Sequence, residues 1–433
     1  MATIGIDFGT SYCSASWINP NTGRPEAVRF KDCGGNEKLP SIIAFNTKGQ
    51  AFVGAGPEMQ FRNLSADTSL SQEERKSWLK YFFTSIKTKI RKDQPWLGPN
   101  NEIYTSDYLI SLIIKKIKDE ISVSCPINES IDQVVLTHPV QFEEWKKDLL
   151  KHAAALAGFK EVKLIEEPIA AAIYAIKSGI VPKTCKGLLV YDFGAGTFDV
   201  SYIQVEGDGE LHKPVLPRGD ARCGGDDIDR ALYEDWEKFI KTSKNKSIGN
   251  DEEIDMAFLY RCRCAKEEIS RGGRITDEIR AYIPDIGTIR RDFSDSDFER
   301  LTKPFIDKTC ALVKVVADEV KQKNLPLTHA ILIGGSSNLP QVQTAMKELL
   351  GNSVNIVTTG DNDIAVAVGA MYSITTQIHV PQPPKPELPK SSITQYSDKI
   401  DSCFCIYCGR KILTVDKICM YCGKPNWSFG KVL

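Results

Sequence analysis

Two short strings constrain this chain more than anything else in it: IGIDFGTSYC at residues 4–13 and LVYDFGAGTFDVS at residues 189–201. In each, an apolar run that reads as a strand delivers an aspartate, Asp7 or Asp192, into a tight turn of small residues. Glycine lets backbone N–H groups approach an anion closely, so turns built on Gly9, Gly194 and Gly196 suit phosphate oxygens. Thr10, Ser11 and Thr197 add hydroxyl donors beside them. An aspartate so placed can organise Mg²⁺ through its waters, because this hard ion keeps most of its hydration shell. One such string alone reads as an ordinary hairpin. Its repetition predicts two similar lobes closing on one phosphate-bearing ligand.

Length agrees: 433 residues exceed what one hydrophobic core sustains, so two large lobes and an appendage are expected. With 55 basic and 56 acidic side chains the net charge is −1, and no chain-wide field draws the protein to nucleic acid or anionic lipid. Asp7 interrupts the short N-terminal apolar run, and no later stretch approaches the roughly 18 apolar residues of a membrane span. The expectation is a cytoplasmic protein without membrane contact. Eight of the 13 cysteines are scattered (Cys13, Cys33, Cys125, Cys185, Cys223, Cys262, Cys264 and Cys310) and read as reduced, half-buried thiols.

The other five cluster near the end. Cys405, Cys408, Cys419 and Cys422 form two Cys-x-x-Cys turns, each followed by glycine and separated by ten residues. Four thiolates in that arrangement can enclose Zn²⁺ tetrahedrally with no open position, the mark of a structural site. Cys403 could replace Cys405 as a ligand. A redox pair is the alternative, but such pairs come singly at a helix N-terminus in a βαβ setting. A module this small cannot bury a core, so zinc would supply most of its folding energy. Residues 379–389 carry five prolines and read as a stiff, solvated spacer. From residue 376 onward eight basic side chains face four acidic ones, a net of +4 that leaves −5 on the body. That asymmetry is compatible with RNA contact, although without a dense basic patch it also serves plain solubility.

Within the body, strand signals alternate with helical ones, as an α/β fold requires. Residues 134–138 read as a buried strand, a helix from about Phe142 to Leu156 ends at Gly158, and residues 163–165 form another strand. Glu166-Glu167-Pro168 follows, with Pro168 preset for a first helical turn. Glu167 thus sits at a strand end beside a helix N-terminus, where α/β proteins place working residues and where a carboxylate can also serve merely as a cap.

These strings, in this order, resemble the ATPase domain of the seventy-kilodalton heat-shock chaperones of DnaK type, within the actin and sugar-kinase superfamily. The resemblance spans about residues 3–375 and rests on seven segments: 4–13, 135–142, 167–172, 192–201, 223–229, 331–340 and 363–370. It implies a duplicated, actin-like (ribonuclease H-like) two-lobe α/β fold, to which the cysteine spacing adds the expectation of an appended zinc-ribbon module. The lobes would cover 1–185 and 186–377, the proline-rich linker 378–402, and the ribbon and tail 403–433. It implies ATP or ADP and Mg²⁺ as ligands, with Asp7, Asp192 and Asp199 organising the metal and water and Glu167 positioning the attacking water. Gly9, Thr10, Ser11, Tyr12, Gly194, Ala195, Gly196 and Thr197 would hold phosphate. Lys87 would reach the γ-phosphate, though Lys89 lies two residues away. Gly224, Gly225 and Asp226 match the glycine-acidic motif. Lys266, Ser270, Gly334, Gly335, Ser336 and Asp363 would flank the adenosine. Hydrolysis would then be positioning and charge neutralisation.

Departures from the family pattern are informative. Glu267 and Asn338 stand where the family stacks arginines on adenine, Ala195 replaces a loop glycine, and Lys147 replaces an arginine tied to signalling. A weak base grip and slow hydrolysis are expected. The family's acidic leucine-rich linker and peptide-binding sandwich do not follow; the proline spacer and cysteine turns stand there instead. The favoured reading is a nucleotide-gated module that engages a protein partner through the ribbon or a lobe surface. A small-molecule or protein phosphotransferase and a filament-forming ATPase are the alternatives. The two Asp-Phe-Gly strings lack the companion motifs of a protein kinase.

Overall fold

A computed structural model describes residues 1–67, 69–92, 95–98, 102–127, 129–206, 210–246, 256–270, 281–283, 287–289, 291, 294–358, 364–374, 402–404 and 411–413. It divides into a large unit, residues 1–90 with 96–381, and a small one, residues 91–95 with 382–433.

The large unit contains one architecture twice. In the first sheet the strand Ala2–Asp7 pairs antiparallel with Tyr12–Asn19 and parallel with Ile131–His138, which pairs parallel with Glu161–Glu166. In the second, Gly187–Phe193 pairs antiparallel with Phe198–Val205 and parallel with His329–Ile333, which pairs parallel with Asn355–Thr358. Each sheet is thus a hairpin extended by two parallel strands, and each hairpin turn follows an aspartate, as the repeated string predicts. The central strands are nearly continuous apolar runs because helices cover both faces: in Gly187–Phe193 every residue but Asp192 is buried.

Three cores result. One lies in the first half around Ile4, Phe8, Ile113 and Leu136, and one in the second around Tyr191, Trp236 and Leu332. The third joins the halves: Val135 and Ala170 pack with Val190, Ile333, Val366 and Ala370. Two helices meet there, Glu167–Lys177 and Ala365–Tyr372. A Cβ on Gly369 would lie 1.9 Å from the Ala170 carbonyl oxygen, so only glycine permits this crossing. The Ser16 hydroxyl donates to the Ala367 carbonyl at 2.6 Å, tying the second helix to the first sheet.

The strand and helix expectations for residues 134–177 hold with wider strands, Ile131–His138 and Glu161–Glu166. The first helix begins at Glu144 rather than near Phe142, whose N–H is instead taken by the Pro139 carbonyl in a turn. The eight scattered cysteines are free thiols. Among the described residues no helix is long and apolar enough to cross a membrane. In the small unit, Ser402–Phe404 pairs antiparallel with Lys411–Leu413. Cys405, Cys408, Cys419 and Cys422 lie outside the described residues.

Candidate functional site

Both aspartate turns open onto one cleft of the large unit, lined by Asp7, residues 9–14, Lys38, Lys87, Glu167, Asp192, residues 194–197, Arg263, Lys266, Glu267, residues 334–336, Asn338 and Val366. The turns are tight. A Cβ on Gly9 would lie 1.9 Å from the Tyr12 carbonyl oxygen, and one on Gly196 would lie 2.1 Å from Thr88 Cγ2 and 2.9 Å from Thr10 Oγ1. Gly196 therefore lets the second turn approach the first. Gly334, at φ +81°, passes so near the second strand that a Cβ would lie 2.8 Å from Asp192 Oδ1.

The floor of the cleft concentrates carboxylates. The Thr137 hydroxyl donates to Asp7 Oδ1 at 2.8 Å. Glu167, the first residue of its helix, accepts from Lys87 Nζ at 2.7 Å, with each side chain only 9% exposed. Burial pulls the Lys87 ammonium down, but Glu167, Asp7 and Asp192 outweigh it and its pKa is raised. Burial, reinforced by Glu167, Asp199 and Asp7, holds the Asp192 carboxyl well above the ordinary carboxylate range. Asp199, buried behind the cleft, is pushed up to about 8 by burial and then by Glu167, while Lys87 and a 3.3 Å hydrogen bond from Gln141 Nε2 oppose the rise. Four carboxylates around one lysine form a site short of positive charge.

Of the two lysines in residues 83–90, Lys87 faces the cleft; the Lys89 ammonium donates to the Thr84 carbonyl at 3.2 Å. Gly224, Gly225 and Asp226 do not line the cleft. They support the second turn from behind: the N–H groups of Gly225 and Asp226 donate to the carbonyls of Gly194 and Ala195 at 3.0 and 2.7 Å. Asp226 also accepts from the Ser85 hydroxyl at 3.1 Å. Lys266 donates to the Gly225 carbonyl at 2.6 Å and pairs with buried Asp229 at 2.7 Å. The Ser336 hydroxyl donates to the Gly194 carbonyl at 2.9 Å. Asp363 and the Ser270 side chain lie outside the described residues. Lys147 pairs with Glu144 at 3.4 Å on the surface.

Sequence reasoning missed Arg263. It lines the cleft from the helix Met256–Ser270, pairs through Nε with Glu267 Oε1 at 2.9 Å, and has its guanidinium 5.0 Å from the centroid of the Tyr12 ring. Its four-residue spacing from Glu267 was the available signal. Glu58 Oε1 accepts from the hydroxyls of Tyr12, which lines the cleft, and of Tyr260 at 3.3 and 3.1 Å. The hydroxyls of Ser11 and Ser14 are buried without a hydrogen-bond partner among the described residues, and both residues line the cleft. Orphaned hydroxyls beside the first glycine turn fit a bound anion with oxygen acceptors.

Comparison with known proteins gives a concordant result. Residues 3–390 match the family model described as Hsp70 protein. The chain is 31% identical over 377 residues to Chaperone protein DnaK of Thermosipho africanus, covering 85% of this chain and 58% of that protein. It is 29% identical over 377 residues to Chaperone protein DnaK of Thermotoga neapolitana and 30% over 376 residues to that of Thermosipho melanesiensis, with the same two coverages. The chain thus spans 58% of the length of these curated relatives.

Proposed function

The chain belongs to the Hsp70 family, and from that premise we propose that its cleft binds Mg²⁺ and ATP or ADP and hydrolyses ATP slowly. The observation that carries this reading is the pairing of two equivalent aspartate turns around the buried Lys87–Glu167 contact. Gly9 to Tyr12 and Gly194 to Thr197 would hold the phosphates, with Ser11 Oγ supplied a partner by them. Asp7 and Asp192 would hold the metal through its waters, and Asp199 would orient those waters from behind. Bound Mg²⁺ would supply the positive charge that the carboxylate cluster lacks. Glu167, fixed by Lys87, would orient a water toward the phosphate end, and Lys87 would neutralise charge developing there. Lys266, Gly334, Gly335 and Ser336 would flank the nucleoside. Water attacks the γ-phosphorus and ADP leaves, so positioning and neutralisation account for the chemistry without a covalent intermediate on the protein. Phosphate release measured with Mg²⁺ and ATP tests this reading: slow turnover, strongly reduced by Glu167→Ala, supports it, and equal rates for the two proteins contradict it.

The wider role is a chaperone-like module whose nucleotide state governs engagement of a protein partner. Its lobes are 1–185 and 186–377, followed by the linker 378–402 and a zinc ribbon at 403–433. The zinc proposal rests on the spacing of Cys405, Cys408, Cys419 and Cys422. Metal analysis of protein purified under reducing conditions should find one zinc per chain; zinc-free protein contradicts it.

A further inference from the structure

At the edge of the second sheet, Phe198–Val205 pairs antiparallel with the short strand Leu211–His212. Gln204 stands opposite His212 and Val205 opposite Leu211, and the Glu206 N–H donates to the Glu210 carbonyl at 3.0 Å. Side chains alternate along a hairpin, and Val205 and Leu211 are buried in the core that joins the two halves. Glu206, Glu210 and His212 therefore share the opposite, outer face. None of the three lines the cleft.

Their donor atoms lie within 4.8 Å of one another. His212 Nε2 is 3.5 Å from Glu210 Oε2 and 3.7 Å from Glu206 Oε1. Although buried, Nε2 has no hydrogen-bond partner among the described residues. A protonated imidazole held by these carboxylates would close to about 2.7–2.9 Å on at least one of them. Ligands about 2.1 Å from one ion at tetrahedral angles are instead about 3.4 Å apart, close to the spacing found between His212 and the two carboxylates. Lys213, next in sequence, is engaged by Glu166.

We propose that Glu206, Glu210 and His212 form a Zn²⁺ site on this hairpin, with solvent completing the shell. One imidazole and two carboxylates suit zinc, whereas Mg²⁺ and Ca²⁺ take oxygen ligands alone. With the imidazole neutral the three ligands carry a charge of −2, which the ion cancels. The ligands come from both sides of the chain reversal, so the metal cross-links the hairpin. This donor set shares no residue with the nucleotide cleft or with the late cysteines.

Equilibrium dialysis of the full chain against Zn²⁺ at about micromolar concentration under reducing conditions, with metal counted per chain, tests this. The wild-type chain should hold one zinc more than His212→Gln, and one more than the double variant Glu206→Gln with Glu210→Gln. All three proteins share every cysteine, so the difference stands whether or not the late cysteines bind zinc. Equal counts in the wild-type chain and both variants overturn the proposal. Loss of zinc in His212→Gln alone overturns the role given to the carboxylates. A second measurement needs no double variant: among the imidazole NMR resonances of the five histidines, those of His212 should shift when zinc is added to the wild-type chain. A His212 resonance unmoved by zinc overturns the site.

Discussion

Lys87 Nζ and Glu167 Oε1 meet at 2.7 Å on the floor of the cleft, and this contact joins the segment of residues 83–90 to the first residue of a core helix. Lys87 lies among Asp7, Glu167, Asp192 and Asp199, and its charge lowers the Asp192 and Asp199 pKa values. Removing one partner of a buried pair leaves the other uncompensated. Lys87→Met should destabilise the metal-free protein by about 3–5 kcal/mol in urea titrations. Adding Glu167→Gln should recover part of that loss. A single variant as stable as the parent would show that the cluster is not held by this lysine.

Asp199 makes stability depend on pH with a definite sign. Its folded pKa, pushed up to about 8 by burial and then by Glu167, lies above the ordinary value of 3.8. The folded state therefore holds this proton more tightly than the unfolded state does. The stabilisation is complete below the ordinary value and is lost as pH rises toward 8. Asp199→Asn should flatten the decline of melting temperature between pH 6 and 8 in metal-free buffer and raise melting at the upper end by a few degrees. An unchanged profile would contradict this.

At the helix crossing, alanine should harm where helix propensity says it should help. Gly369→Ala gains about 1 kcal/mol of intrinsic helix preference. Its methyl, however, would lie 1.9 Å from the Ala170 carbonyl oxygen, a backbone atom that cannot step aside. A net loss of about 1–3 kcal/mol is expected from overpacking, read as a lowered melting temperature. A stabilised variant would mean that the two helices separate freely.

The two turns were legible in the sequence because their constraint is local: Asp7 and Asp192 lie at the ends of apolar strands, and a glycine follows two residues later. Glu167-Pro168 was legible for the same reason, since Pro168 marks the helix start. What the sequence did not show is orientation set by packing. Gly225 and Asp226 carry the composition of ligand-binding residues, yet their N–H groups are taken by the carbonyls of the second turn. Asp199 sits on a strand buried on both faces and does not line the cleft, so the alternation of the strand could not show where it points. Arg263 lies on a helix whose mixed string, RCRCAKEE at residues 261–268, does not reveal which face turns inward. The metal-binding reading of the four late cysteines remains a proposal from spacing.

Calorimetric titration of the wild-type chain and Asp192→Ala with ATP and ADP, with and without Mg²⁺, bears most directly on the central claim. The account predicts one nucleotide bound per wild-type chain, tighter with Mg²⁺ than without, and loss of that metal dependence in the variant. No detectable binding of ATP or ADP to the wild-type chain at about millimolar concentration in Mg²⁺ would contradict it.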